Sequence, residues 1–95
     1  KQNLVQEIDG KGTIYYFAFT GRFVDAKDIQ TDILIVGDIK QSLLEEMIKK
    51  FELEIPYEIN YTLMPKEEFR DRRQVADRFL STILNAEKVV MIDRV

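Results

Sequence analysis

Residues 13–38, TIYYFAFTGRFVDAKDIQTDILIVGD, restrict the fold more than any other part of the chain. They predict two strands, Thr13 to Thr20 and Asp32 to Val36, joined by a polar loop. Alternation along the first puts Ile14, Tyr16 and Ala18 on one face and Tyr15, Phe17 and Phe19 on the other. The second sets Ile33 and Ile35 against Leu34 and Val36. Strands that are apolar on both faces belong inside a sheet covered on both sides. The fold class that follows is α/β (α+β), a mixed sheet of about four strands with helices packed on it.

The remaining segments read as edges and cover for this pair. Lys1 to Ile8 is weakly amphipathic and is compatible with a helix end, a linker or an edge strand. Asp9-Gly-Lys-Gly12 is a turn signal, with two glycines free to take positive φ. Asp38 is placed to cap a helix from Ile39 to Leu53, with Gln41 completing a capping box. Leu43, Leu44, Met47, Ile48 and Phe51 make its apolar stripe, and Glu45, Glu46, Lys49 and Lys50 its wet face. Pro56 closes that helix. Tyr57 to Leu63 alternates as a half-buried strand, with Tyr57, Ile59, Tyr61 and Leu63 on one side and Glu58, Asn60 and Thr62 on the other. Pro65, Glu67 and Glu68 open a further helix anchored by Phe69. After a bend near Arg72 to Gln74, a second stripe follows: Val75, Ala76, Phe79, Leu80, Ile83 and Leu84. Asn85 is suited to end it in a left-handed conformation. Lys88 to Ile92 is the last strand, giving the order β-β-α-β-α-α-β.

Composition narrows the chemistry. With 95 residues, 45% of them hydrophobic and 33% charged, the expectation is one globular domain. Cys and His are absent, which removes disulfides, thiolate or imidazole metal sites and Ser-His triads. A metal would have to be a hard cation held by carboxylates. The net charge of −3 does not favour nucleic-acid binding by this segment alone. No apolar run approaches the length of a bilayer span and no signal peptide is visible, so the expected location is cytoplasmic with no membrane partner. The chain begins at Lys1 without Met, which suggests a piece of a longer protein with an upstream domain.

The candidate site lies where the two strands meet the loop. If they are antiparallel neighbours, Gly21-Arg22 faces Gln30 and Asp32 across one end of the sheet. Gln30 and Asp32, two apart, share a face. Asn60, on the polar side of the third strand, is placed to reach the same cleft. The plainer use of Asp32 is to cap the loop or to pair with Arg22. Arg70, Arg72, Arg73 and Arg78 could grip phosphate, although the interleaved Glu67, Glu68, Asp71 and Asp77 favour a solvated helix face. Tyr15, Tyr16, Tyr57 and Tyr61 suit core or subunit contact better than base stacking.

FAFTGRF at 17–23, TDILIVGD at 31–38, EINYTLMPKEEF at 58–69, DRFLSTIL at 77–84 and KVVMID at 88–93 together carry a resemblance. In order and spacing they resemble the minimal nucleotidyltransferase domains of the DNA-polymerase-β-like superfamily, over nearly the whole chain from Thr13. Members resembling this chain often sit behind a winged-helix segment. The resemblance implies a Gly-Ser after the first strand, an Asp-x-Asp at the start of the second, and often a third Asp on a later strand. Those carboxylates hold Mg²⁺, which clamps a triphosphate for in-line attack. By position, Gly21 matches the Gly and Arg22 replaces the Ser. Asp32 matches the second Asp, Gln30 replaces the first, and Asn60 stands where the third would be. The loop is also short and lacks the usual second Gly.

One Asp with two amides is a poor magnesium site. The reading is therefore a nucleotidyltransferase-like domain without catalysis, a ligand-sensing or interaction module of a larger, transcription-regulatory protein. The expected ligand site is Gly21, Arg22, Gln30, Asp32 and Asn60, and its ligand a nucleotide or other phosphate-bearing molecule. Expected partners are an upstream DNA-binding domain and a second copy in a homodimer. Two alternatives stand beside it. One is an active Mg²⁺-dependent nucleotidyltransferase using Asp32 and a loop carboxylate, Asp25 or Asp28. The other is a self-association module with no ligand.

Overall fold

A computed structural model describes residues 2–95; Lys1, counted above with the first segment, lies outside the described residues. The elements run α1 (Gln2–Gly10), β1 (Thr13–Phe19), a 3-10 turn (Gly21–Val24), β2 (Ile33–Asp38), α2 (Gln41–Glu52), β3 (Tyr61–Met64), α3 (Lys66–Gln74), α4 (Arg78–Asn85) and β4 (Val89–Asp93). From β1 onward this is the expected order, and α1 precedes it. The four strands form one mixed sheet in the order β3-β2-β1-β4. β1 is antiparallel to both β2 and β4, and β3 runs parallel to β2.

The two-sided apolar strands are central, as their composition requires. Ile33, Leu34, Ile35 and Val36 are buried without residue, together with Phe17, Ala18 and Phe19. One face of the sheet packs against α1 through Leu4, Val5 and Ile8 and against α2 through Leu44, Met47 and Ile48. The other face packs against Phe69 of α3 and Leu80 and Ile83 of α4. β3 and β4 close the edges.

Local details differ from the strict alternation. A bulge at Tyr15 shifts the β1–β2 register between Ile14 and Tyr16. The extra residue reverses the phase. Ile14 therefore joins Phe17 and Phe19 on the α1/α2 face, and Tyr15 joins Tyr16 and Ala18 on the other. Asp38 does not cap α2. It ends β2, and the cap position falls at Lys40 with no side-chain hydrogen bond, so the capping box does not form. Of the glycines, only Gly21 takes positive φ among the described residues. Gly10 lies within α1, and Gly12 answers to crowding instead: a Cβ there would stand 2.6 Å from the Asp38 carbonyl and 2.8 Å from Ile39 Cβ.

The third strand is shorter than its alternation suggests, because pairing with β2 begins only at Tyr61 and residues 57–60 lie outside the ladder, with a bend at Tyr57, although Ile59 is buried in the expected phase. Val75 and Phe79 are exposed rather than inward. Val75 ends α3 and Phe79 lies in the first turn of α4, on either side of a break where Ala76 adopts a left-handed φ of 51°. Asp77 caps α4 through the Leu80 N–H at 2.9 Å, and the helix ends into extended Ala86 with no left-handed Asn85. Arg94 reaches back across the sheet end to α1, where its guanidinium bonds both oxygens of Asp9 at 2.8 and 3.1 Å. Among the described residues no helix is long and apolar enough to cross a membrane.

Candidate functional site

The site forms where β1 turns away from the sheet and β2 enters it. Phe19 and Ile33 are the last paired residues, and the Thr20 N–H continues the ladder to the Asp32 carbonyl at 2.9 Å. The chain must then reverse within a 3-10 turn. Gly21 opens it at φ 52°, a conformation costly for residues with a Cβ. Space also demands glycine: a Cβ would collide with the Asp32 carboxylate and stand 2.5 Å from the Thr31 carbonyl. The turn is closed by the Ala26 N–H to the Gly21 carbonyl at 2.8 Å, with Asp25 in the left-handed region that Asp tolerates.

Asp32 is the hub. It is 1% exposed, and its carboxylate is shared between two backbone donors. Oδ1 accepts from the Arg22 N–H at 2.9 Å and Oδ2 from the Asn60 N–H at 3.0 Å. Its own N–H donates to the Asn60 carbonyl at 2.6 Å. One side chain thus fastens the 3-10 turn to the entry of β3. The neighbouring Thr31 hydroxyl points elsewhere and hydrogen-bonds Thr62 at 2.9 Å.

Around this hub lies an open depression of about 490 Å³. Gly21, Arg22, Gln30, Asp32 and Asn60 all line it, so the five residues expected from the sequence are brought together. Asp25 joins them, while Asp28 lies over the adjoining hollows toward α4. Lys27 also lines the depression and had no signal beyond its place in the polar loop. The Arg22 guanidinium does not pair with Asp32. It lies 4.9 Å from the centre of the Tyr57 ring, and only its backbone meets the carboxylate. The other tyrosines are engaged as the alternation suggests: Tyr16 stacks on Phe69 at 5.6 Å, and Tyr61 packs against the α1/α2 core.

No family model, curated protein or solved structure matches this chain. The chemistry of the pocket therefore rests on its own donors.

A magnesium ion, which the nucleotidyltransferase resemblance implies for an active member, does not fit them. Asp32 has an N–H on each oxygen and sits almost wholly out of solvent. Gln30 and Asn60 are neutral amides at the exposed rim. Among the described residues no three acidic, His or Cys side chains come together as a metal site. Mg²⁺ keeps its waters unless carboxylates replace their charge. The pocket instead offers Arg22 and Lys27 as cations, amide groups at the rim and one carboxylate spent on backbone.

Proposed function

We propose that this domain is a nucleotidyltransferase-like module that has lost metal-dependent transfer and binds a phosphate-bearing ligand weakly at the sheet end. In a larger protein, a transcriptional regulator with an upstream DNA-binding domain being the reading we favour, it serves as a ligand-sensing or interaction module. One observation supports this above the rest: the only carboxylate retained from the family's catalytic pattern is consumed by two backbone N–H groups. In-line phosphoryl transfer in that superfamily depends on metal charge held by clustered carboxylates. A carboxylate that must stay on its backbone donors to keep a turn closed is not available for a cation. Arg22 and Lys27 suit phosphate oxygens without a metal.

Thermal melting with ATP, GTP, CTP or UTP, each in excess EDTA and in excess Mg²⁺, tests the proposal, because a ligand of the native state raises the melting temperature. At least one nucleotide raises it equally in both conditions, and Arg22→Gln abolishes the rise. A shift that requires Mg²⁺, accompanied by turnover that Asp25→Asn removes, would instead support an active enzyme using a loop carboxylate. Asp25 is the better probe of that alternative, since replacing Asp32 disturbs the fold as well.

A further inference from the structure

The arginine-rich stretch after Pro65 appears mixed in charge along the sequence, and the structure sorts it. At about 100° per residue, Lys66, Arg70 and Arg73 fall within roughly 60° of arc on α3, while Glu67, Asp71 and Glu68 turn away from them. Arg72, the remaining cation of that helix, is fully engaged elsewhere. It bonds Glu68 at 2.9 Å and Asp77 at 3.1 Å across the α3–α4 break. Among the described residues Lys66, Arg70 and Arg73 have no carboxylate within ion-pair distance.

These three cations border a second depression of about 510 Å³, on the sheet face opposite α1 and α2, floored by Phe69 and flanked by Gln74 and Val95. Aromatic faces hold two of the three heads in place. The Lys66 ammonium lies 4.5 Å from the Tyr15 ring centre, and the Arg73 guanidinium 5.3 Å from that of Phe69. A hollow of this size suits a small molecule rather than a macromolecular strand. Three cations with no direct ion-pair partner among the described residues, on a chain of net charge −3, are a local field that the overall composition hides, with Asp93 as the nearby carboxylate that acts on Tyr16 together with Arg73.

The geometry points to a second ligand site, separate from the sheet-end pocket, that takes a small organic oxyanion, its phosphate or carboxylate gripped by Arg70 and Arg73. Arg forks bind such groups by paired charge-assisted hydrogen bonds. Lys66 adds a point charge at the first turn. The site uses no metal and does not depend on the reading given for the sheet-end pocket.

Phenyl phosphate is the probe, with inorganic phosphate, benzoate and phenol beside it, titrated while backbone amide NMR signals are followed. Phenyl phosphate shifts the amides of 66–74, benzoate does so more weakly, and phenol does not. Arg70→Gln and Arg73→Gln each weaken binding about tenfold, the loss expected for one charge-assisted contact, and leave the melting temperature unchanged. Both residues are exposed, so neither variant threatens the core. No shift at 66–74 up to about 10 mM phenyl phosphate, weaker than a millimolar complex, would overturn the site. So would binding that survives both variants, or shifts confined to the residues around Gly21 and Asp32. A short single-stranded oligonucleotide binding there in preference to phenyl phosphate would replace the small ligand with nucleic acid.

Discussion

Asp32 shows how much one side chain can decide. Reading it as a catalytic remnant and reading it as a loop cap make opposite demands on the same two oxygens. The structure commits both to backbone donors, Arg22 N–H and Asn60 N–H. Removing the carboxylate would leave two N–H groups short of partners beside a buried turn. Each such loss costs about 1–3 kcal/mol. Asp32→Ala is therefore expected to destabilise the domain by about 3 kcal/mol or more, measured by urea denaturation. Asp32→Asn turns an amide NH₂ toward one of the same donors and should recover only part of it. A loss below about 1 kcal/mol for Asp32→Ala would show that the hydrogen bonds carry little. The residue's location was legible in the sequence, because strand pairing and the two-residue phase bring Gln30 and Asp32 to Gly21. Its role was not, because a hydrogen bond from the Asn60 backbone depends on how β3 enters the sheet.

At the scale of elements, what could be read and what could not separate by sequence distance. The central strands, α2's stripe and Phe69 follow from local periodicity. The Tyr15 bulge does not, since an extra residue leaves no compositional mark and reverses every face upstream of it. The sorting of Lys66, Arg70 and Arg73 was available in the sequence, but only in helical projection, where a linear count of alternating charges misleads.

Two joints between elements are ionic and set an acid limit. Asp9 is held below its ordinary carboxylate range by the hydrogen bond from Arg94, which ties α1 to the segment after β4. Asp77 is lowered first by the Leu80 backbone N–H and also by Arg72, at the junction of α3 and α4. Arg94 and Arg72 are both raised by these bonds and stay charged throughout. A carboxyl lowered in the folded state adds stability that is complete above its unfolded value near 3.9 and is lost as pH falls through the folded value. Melting temperature should thus fall below about pH 4 through these joints, and Asp9→Asn should flatten that limb while lowering the neutral-pH value. An acid limb of unchanged steepness in Asp9→Asn would show that this joint does not contribute.

On the scale of the whole molecule, the two hollows divide the surface chemistry. The sheet-end pocket gathers one buried carboxylate and two rim amides beside Arg22 and Lys27, while the α3 hollow is bordered by cations. Which end of the sheet carries the pocket follows from connectivity: the β1–β2 turn and the entry to β3 meet there, so two chain segments, 21–32 and Asn60, supply its lining. A pocket whose one buried carboxylate is spent on backbone N–H groups has little negative charge left to offer a cation. Paramagnetic Mn²⁺, which takes the place of Mg²⁺ at carboxylate sites, examines that distinction at the residue concerned. In an amide NMR titration, the signals of Arg22, Asp32 and Asn60 should keep their intensity to about millimolar Mn²⁺, with any broadening scattered over exposed acidic residues. The double variant Gln30→Asp with Asn60→Asp should acquire selective broadening at those three amides. Selective broadening of Arg22, Asp32 and Asn60 in the unaltered protein would contradict the structural role of Asp32 and restore the pocket as a metal site.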